Sequence, residues 1–251
     1  MTESQFKAFD LFRREFRGKV QEWSVCADRL RPLQKAASQK DTPDYPLETA
    51  VVYNKALDEF TVHDSIRLIV IGDNPGKDEQ LEKNNKYLVG QSGKIAEGFF
   101  RRNPELETDF RKNVIILNKT PIHTAKTAHL KYLEKADPRI AQLILESQLW
   151  MAENTANLHK TLAASSGTQL WLVGYAELKG KGIFLPYRDE LKKQYAAGTE
   201  AWNNVYVYQH FSMNRFLIDL RAYQNSHPRM PLADALAGLG RMHRDEIFTE
   251  K

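Results

Sequence analysis

Two periodicities of apolar residues divide the chain. Near the start, apolar side chains recur every three or four positions, at Phe6, Phe9, Phe12, Phe16, Val20 and Trp23. This spacing places them on one stripe and predicts an amphipathic helix over 6–25. Residues 27–40 continue as a basic helical segment, which the turn residues of Asp41–Pro46 end. We therefore expect a helical extension, residues 1–60, that packs on a domain formed by residues 61–251.

The second pattern is a short apolar run followed by a loop and a helical stretch. It occurs four times, at Ile66–Ile71, Val114–Leu117, Leu170–Val173 and Val205–Tyr208. Runs of this kind are typical of strands buried on both faces of a parallel sheet. Helical patterns lie between and after them, at Gly93–Arg102, Arg139–Ser165, from Ala176 onward, and at Pro231–Arg244. This alternation predicts an α/β fold with three α/β/α layers around a four-stranded, mainly parallel sheet.

Composition narrows the classes of protein. With 251 residues, 42% of them hydrophobic, the chain can bury a substantial core. A single cysteine, Cys26, excludes a disulfide framework and an all-cysteine zinc or iron–sulfur site, and we expect no cofactor and no metal. It also fits a reducing compartment, so we expect a cytoplasmic protein. We expect no leader and no membrane contact, because the apolar runs are far shorter than the ~20 residues of a spanning helix. A net charge of +4 permits a polyanionic partner without requiring one.

Polar residues follow three of the four predicted strands. They are Gly72-Asp73-Asn74-Pro75-Gly76, Asn118-Lys119-Thr120-Pro121 and Gln209-His210-Phe211-Ser212. Ligands of open parallel sheets bind outside the carboxyl ends of the strands, so these segments are the candidate site. The first segment is not a phosphate-binding loop. Three residues separate its glycines instead of four, and Asp78 follows Lys77 where a Ser or Thr would be needed.

Together these segments resemble the uracil-DNA glycosylase superfamily. That family has a Gly-x-x-Pro-Gly turn after its first core strand and a His-Pro-Ser turn after its last. Here Gly72–Gly76, Tyr87–Gly93, Asn118–Pro121 and His210–Ser212 follow in the same order, over roughly residues 61–220. The acidic second position of the first segment, Asp73, and the second segment resemble the thermostable, family 4-like enzymes. The third-position Asn74 resembles the single-strand-selective and mismatch-type enzymes, and Asn-Lys-Thr-Pro resembles the single-strand-selective branch. The cysteines that hold the family 4 iron–sulfur cluster are absent.

The resemblance implies that residues 61–251 form a uracil-DNA glycosylase-like domain. It also implies hydrolysis of the N-glycosidic bond of uracil or a related deaminated base in DNA, as in base excision repair. Neutral His210 would donate a hydrogen bond to the departing base, and Asn118 would pair with the base edge. Asp73 or Asn74 would position the water, and Asp73 would also serve as general base or stabilise the sugar cation, so this choice stays open. The implied substrate-binding set is completed by Gly72, Tyr87, Leu88 and Ser212.

Two positions depart from the family pattern. Leu88 stands where the family has a phenylalanine that stacks on the flipped base, which leaves the preceding Tyr87 as the alternative stacking side chain. Phe211 replaces the proline of the His-Pro-Ser turn, which removes the fixed φ at that position. Met213 and Asn214 follow, and an apolar side chain here resembles the wedge that family members push into the base stack.

DNA contacts are also expected from a segment rich in lysine and threonine. Between residues 119 and 135 the candidate phosphate contacts are Lys119, Thr120, Thr124, Lys126, Thr127, Lys131 and Lys135. We expect a monomer whose partner is DNA that contains a damaged base.

Each of these residues also has an ordinary structural alternative. Asp73 could cap a helix, Asn118 could form a turn, and His210 could be a structural histidine. Met213 could face the core, and the lysines of 119–135 could form a solvated surface. Two alternatives to a glycosylase therefore remain. One is a non-catalytic nucleic-acid-binding member of the same superfamily, and the weaker one is an unrelated nucleotide hydrolase with a bound metal.

Overall fold

A computed structural model describes residues 1–249, apart from the side chain of Ser165. Its strands are β1 (Leu68–Gly72), β2 (Val114–Asn118), β3 (Gln169–Val173) and β4 (Val205–Tyr208). Its helices are α1 (Glu3–Ser24), α2 (Ala27–Ser38), α3 (Gln91–Arg102), α4 (His129–Ala136), α5 (Pro138–Ser166), α6 (Leu185–Lys193), α7 (Glu200–Asn203), α8 (Arg215–Ser226) and α9 (Leu232–Thr249).

The four strands form one sheet in the order β2-β1-β3-β4, and every described pairing is parallel. The strands consist mostly of β-branched and aliphatic residues, and all but Gln169 are buried, because helices cover both faces of the sheet. The α/β class and the three-layer arrangement predicted from the sequence are confirmed, and the sheet is entirely parallel where the sequence predicted a mainly parallel one.

The two faces of the sheet carry different sets of helices. On one face Trp171 of β3 contacts Phe100 of α3 and Phe216 of α8, with ring centroids 5.6 and 6.1 Å apart. On the same face α9 lies against β4, and a Cβ at Gly240 would be 2.6 Å from the hydroxyl of Tyr208. The long helix α5 contacts β3 and packs with α1, α4 and α6. A strand buried between two such layers has no solvated side, which explains its nearly continuous apolar sequence.

The N-terminal segment shares the hydrophobic core of the rest of the chain. The predicted helix over 6–25 is α1, and its apolar stripe faces α5, where Phe12 and Phe16 stack on Trp150 at 6.0 and 5.9 Å. Between α2 and β1 the chain forms a short 3-10 helix at Lys55–Glu59, and Val51 forms an antiparallel bridge to Ile122 just after β2. The division at residue 60 stays a prediction.

The connections after β3 and β4 differ from the sequence prediction. A helix was expected from Ala176 onward, but the structure has only a 3-10 turn at Tyr175–Leu178 before α6 begins at Leu185. Glycines at 180 and 182 disfavour a helix in between. Helix α8 was not predicted, because three of its apolar residues stand consecutively at 216–218 without clear helical spacing, and its first turn follows directly on the loop after β4.

Candidate functional site

A cavity of about 770 Å³ opens at the carboxyl ends of the four strands. Asp73 follows β1, Asn118 ends β2, Gly174 follows β3 and His210 follows β4, and all four line this cavity. From β1 the chain runs to β2 on one side, and after β2 it crosses to β3 on the other side of β1. The connections after β1 and β3 therefore lead in opposite directions along the sheet. Such a switch point is where open α/β sheets bind their ligands. The structure therefore brings together the residues that the sequence placed at separate strand ends.

Asn118 presents an amide nitrogen that is free to bind a ligand. The residue is paired with Gly72 across β1 and β2, and a Cβ at Gly72 would lie only 2.4 Å from Asn118 Oδ1. Gly72 therefore makes room for the amide, and it does not itself line the cavity. The Asn118 side chain is 2% exposed, and its Nδ2 has no hydrogen-bond partner among the described residues. Buried donors are almost always paired, so this one is a candidate contact for a bound molecule.

The hydrogen bonds of His210 fix its tautomer. The backbone N–H of Ser212 donates to His210 Nδ1 at 3.1 Å, which makes Nδ1 the acceptor and leaves the proton on Nε2. The Ser212 hydroxyl lies 2.7 Å from the same nitrogen. Burial lowers the pKa of His210, and Lys119 lowers it further while Asp73 acts in the opposite direction. His210 is therefore a neutral imidazole that can donate from Nε2.

Asp73 forms a buried ion pair with Lys119. Lys119 Nζ lies 2.6 Å from Asp73 Oδ1 and 2.6 Å from the Val173 carbonyl oxygen. Thr127 donates its hydroxyl to the other carboxylate oxygen at 3.3 Å. The Lys119 side chain is fully buried, so this arrangement does not present it to a DNA phosphate, and the expected contact stays a prediction. Lys119 instead fixes the carboxylate from behind the cavity wall.

Asn74 is held in one orientation by the segment after β2. Its Nδ2 donates to Thr124 Oγ1 at 2.8 Å and to the Ile122 carbonyl at 3.3 Å. Because the nitrogen is committed to these oxygens, the amide oxygen is the group that Asn74 can offer to a water. Asn74 and Thr124 both line the cavity.

Tyr87 and Leu88 occupy different environments. Tyr87 is 1% exposed, donates its hydroxyl to the Val52 carbonyl at 2.6 Å, and does not line the cavity. Buried and outside the cavity lining, Tyr87 is not presented to a bound base in this arrangement, and its stacking role stays a prediction. Leu88 is the neighbour that lines the cavity, and its backbone adopts a left-handed conformation with φ of 50°.

The rim of the cavity carries exposed residues from the loop after β4. Met213 is 74% exposed, and Asn214 and Arg215 are exposed beside it. Of the three, Met213 and Arg215 line the cavity mouth. Phe211 is fully buried and packs on Phe216 with ring centroids 5.1 Å apart, so a buried ring anchors the turn that lacks proline.

The segment 119–135 is only partly available to a ligand. Thr120 and Thr124 are buried in protein hydrogen bonds, contrary to the expected phosphate contacts. Lys126 is exposed and pairs with Asp41 at 2.9 Å, and Lys135 is also exposed. The basic surface is therefore smaller than the sequence suggested.

Several cavity residues were not found from the sequence. Tyr175, Glu177 and Glu79 line the cavity, and Glu79 is 7% exposed. Glu79 lies in a charged run that indicates a solvated turn, so no sequence signal distinguished it. Within residues 1–249, no cluster of three or more His, Cys, Asp or Glu is arranged to hold a metal ion. Over the same residues, no helix has the length and apolarity needed to cross a membrane.

Comparison with known proteins adds no family assignment. No protein-family model matches the chain, and no curated protein matches it.

Proposed function

We propose that the chain is a DNA glycosylase that hydrolyses the N-glycosidic bond of uracil or a related deaminated base in DNA, in a reducing cytoplasmic compartment. The observation that carries this proposal is the meeting of Asp73, Asn74, Asn118 and His210 in one cavity. Each of them follows or ends a strand of the sheet, and each offers a different polar group. The resemblance of the strand-end segments to the uracil-DNA glycosylase superfamily agrees with this set.

His210 would stabilise the departing base. Breaking the glycosidic bond places negative charge on the base, and a fixed N–H donor at that point strengthens its bond as the charge grows. Ser212 holds His210 in the tautomer that donates from Nε2. The lowered pKa of His210 keeps the imidazole neutral near neutral pH, so its Nε2–H is donated without a positive charge on the ring.

Asn118 would select the base. Its unpartnered Nδ2 donates to a carbonyl oxygen, whereas the exocyclic amine of cytosine would place a second donor against it. A site that leaves a buried donor unpaired rejects the wrong base strongly. The missing side chain at Gly72 leaves the space that the Asn118 amide oxygen occupies.

Asn74 and Asp73 would have separate roles, one at the attacking water and the other at the sugar. The Asn74 amide oxygen orients the water, since its nitrogen is held by Thr124. Asp73 keeps its negative charge paired with Lys119 and acts on the developing sugar cation. The exposed Met213 and Arg215 at the mouth fit a wedge in the base stack and a phosphate contact, respectively.

A non-catalytic nucleic-acid-binding member of the same superfamily is the alternative. The observation that favours it is Leu88, an aliphatic wall where the family has an aromatic ring. An aliphatic wall stacks less strongly on a flipped base.

The test is release of the free base from oligonucleotides that contain uracil, hypoxanthine or xanthine, in single- and double-stranded form. We expect release by the wild type and a loss of roughly 100-fold or more in His210→Ala and Asn118→Ala, as for removal of an oxyanion-hole donor. His63→Ala is the matched control, because His63 is exposed and lies outside the cavity. Absence of release from every substrate, with retained binding to the oligonucleotides, would support the non-catalytic alternative instead.

A further inference from the structure

His123 lies behind the cavity wall and joins two of its segments. It is fully buried in the segment after β2, and it does not itself line the cavity, although the next residue, Thr124, does. Its Nδ1 lies 2.8 Å from the carbonyl oxygen of Pro75, in the turn after β1. Because a carbonyl oxygen only accepts, Nδ1 carries the proton and donates it to Pro75. None of the catalytic roles proposed for this cavity belongs to this histidine.

The other ring nitrogen of His123 is held by Tyr45. The Tyr45 hydroxyl lies 2.9 Å from Nε2, which has no proton in this tautomer, so the hydroxyl donates and Nε2 accepts. Burial lowers the pKa of His123 to about 4, so the ring stays neutral near neutral pH. The backbone is fixed as well, because its N–H donates to the Ala50 carbonyl at 3.0 Å and its carbonyl accepts from Gln34 Nε2 at 2.8 Å. Three residues that precede β1 thus hold this histidine in place.

The turn that His123 contacts carries Asn74, the residue that orients the attacking water in the proposed reaction. Beside the His123 ring, the backbone N–H of Thr124 donates to the same Pro75 carbonyl at 3.3 Å. The Asn74 amide nitrogen in turn donates to Thr124 Oγ1 at 2.8 Å. The segment after β2 therefore holds both the Asn74 amide and the backbone beside it, and its shortest contact with that backbone comes from His123.

We propose that His123 is a positioning residue: by donating from Nδ1 to the Pro75 carbonyl, it fixes the turn after β1 and with it the Asn74 amide oxygen that orients the water. Pro75 has no N–H, so its carbonyl is the only backbone group that can anchor the turn at this position. The presence of a reacting water rests on the proposed function, whereas the link from Tyr45 through His123 to the turn does not. Because Asn74 acts on the water, a displaced amide would slow the reaction more than it would weaken binding of the base.

Two replacements of similar shape separate the two ring nitrogens. The side-chain nitrogen of Asn is bonded to Cγ, as Nδ1 of His is, and that of Gln lies two bonds from Cγ, as Nε2 does. His123→Asn therefore retains the donor to Pro75, whereas His123→Gln retains only the nitrogen that faces Tyr45. A purely structural role predicts similar effects of the two variants on the site, and a positioning role predicts different ones.

The first test needs no activity and uses NMR of ¹⁵N-labelled protein. Long-range ¹H–¹⁵N correlations show which ring nitrogen of His123 carries the proton, and we expect Nδ1 in the wild type. The side-chain NH₂ resonances of Asn74, assigned by their loss in Asn74→Asp, should shift in His123→Gln and stay near the wild-type positions in His123→Asn. A proton on Nε2 in the wild type, or Asn74 resonances that are unchanged in His123→Gln, would overturn the proposal.

The second test measures base release. We expect kcat of His123→Gln to fall roughly tenfold with KM nearly unchanged, while His123→Asn keeps kcat within about threefold of the wild type. His159→Asn is the matched control. His159 is equally buried, with Nδ1 2.8 Å from the Tyr195 hydroxyl and Nε2 2.9 Å from the Thr168 carbonyl, and Thr168 precedes β3 at the opposite edge of the sheet. This variant loses a donor to a backbone carbonyl too, so it should be less stable to urea but keep the wild-type kcat.

The outcomes separate the two proposals. A wild type that releases no base would contradict the proposed function, while the NMR measurements still decide the role of His123. Equal losses of kcat in His123→Gln, His123→Asn and His159→Asn would overturn the positioning role. Should His123→Gln fail to fold, Tyr45→Phe takes its place, because it removes the hydrogen bond to Nε2 and leaves the ring held on one side only. It should shift the Asn74 resonances and lower kcat roughly threefold, and no change in either would overturn the proposal.

Discussion

At the scale of single residues, depth below the surface decides what a charged side chain can do. Lys119 follows Asn118 in a segment with several lysines, and its charge suggested a phosphate contact. The structure places its ammonium group behind Asp73, fully buried and bound to the Val173 carbonyl. Burial lowers the pKa of Lys119 while Asp73 raises it, so the charge depends on the partner. A buried pair of this kind fixes geometry more than it adds stability.

This arrangement predicts a large loss of folding stability when one partner of the Asp73–Lys119 pair is removed. Lys119→Met leaves the Asp73 carboxylate buried without its partner, and we expect the free energy of unfolding in urea to fall by roughly 3–5 kcal/mol. The double variant Lys119→Met with Asp73→Asn removes both charges and should recover most of the loss. A single variant as stable as the wild type would contradict the ion pair seen in the structure.

At the scale of elements, the site depends on how closely the strand ends approach one another. Gly174 follows β3 with a φ of 102°, and a Cβ there would lie 2.2 Å from Asp73 Oδ1. The loop after β3 therefore packs directly against the carboxylate that follows β1. Parallel pairing of β1 with β3 makes the two ends neighbours, and the missing side chain allows their contact.

Substitution at Gly174 tests this contact. Gly174→Ala combines an unfavourable φ with a clash at Asp73, and we expect it to lower the free energy of unfolding by about 2–4 kcal/mol. Gly180→Ala is the matched control, because its φ is also positive, at 58°, but nothing lies within 4 Å of the added Cβ. It should cost only about 1 kcal/mol. Equal losses in the two variants would show that backbone strain alone, and not the approach to Asp73, matters at Gly174.

At the scale of the whole molecule, buried titratable groups make stability depend on pH in opposite directions. Burial raises the pKa of Glu79 to about 7, so the folded state keeps its proton more tightly than the unfolded state. This contribution is complete below about pH 4.5 and is lost as the pH rises to about 7. Burial lowers the pKa values of His123 and His159 to about 4, so their contribution is lost as the pH falls below 6.5.

The Glu79 contribution can be isolated by comparing two proteins. His123 and His159 are present in both the wild type and Glu79→Gln, so their effects cancel in the difference. We expect the free energy of unfolding of the wild type, relative to Glu79→Gln, to decrease by about 3 kcal/mol between acid and neutral pH, because the pKa of Glu79 is raised from 4.5 to about 7 in the folded state. Urea unfolding at a series of pH values measures it. A difference that is constant with pH would show that the carboxyl of Glu79 titrates normally.

Much of the fold follows from local pattern. The apolar stripe of α1 and the four buried runs each carry their periodicity in a few consecutive residues, so the α/β class could be predicted without knowledge of any contact. The order of polar residues after the strands likewise identified Asp73, Asn118 and His210, because parallel strands bring their carboxyl ends to one edge. The periodicity of apolar residues does not encode how deeply a polar side chain is buried or how a loop runs. The sequence predictions were therefore least accurate for buried polar residues and for the loops after the strands.

The sequence by itself determined the strands, the main helices and the edge of the sheet where polar side chains collect. Only the tertiary structure decided which of two adjacent residues in the sequence faces the cavity. Leu88 lines the cavity, whereas Tyr87 does not, and Lys119 is buried behind Asp73. Glu79, from a charged run of the sequence, lies in the cavity wall. The physical reason is that burial and hydrogen bonding of a side chain depend on segments distant in sequence, such as Val52 for Tyr87 and Val173 for Lys119. No local pattern contains those partners.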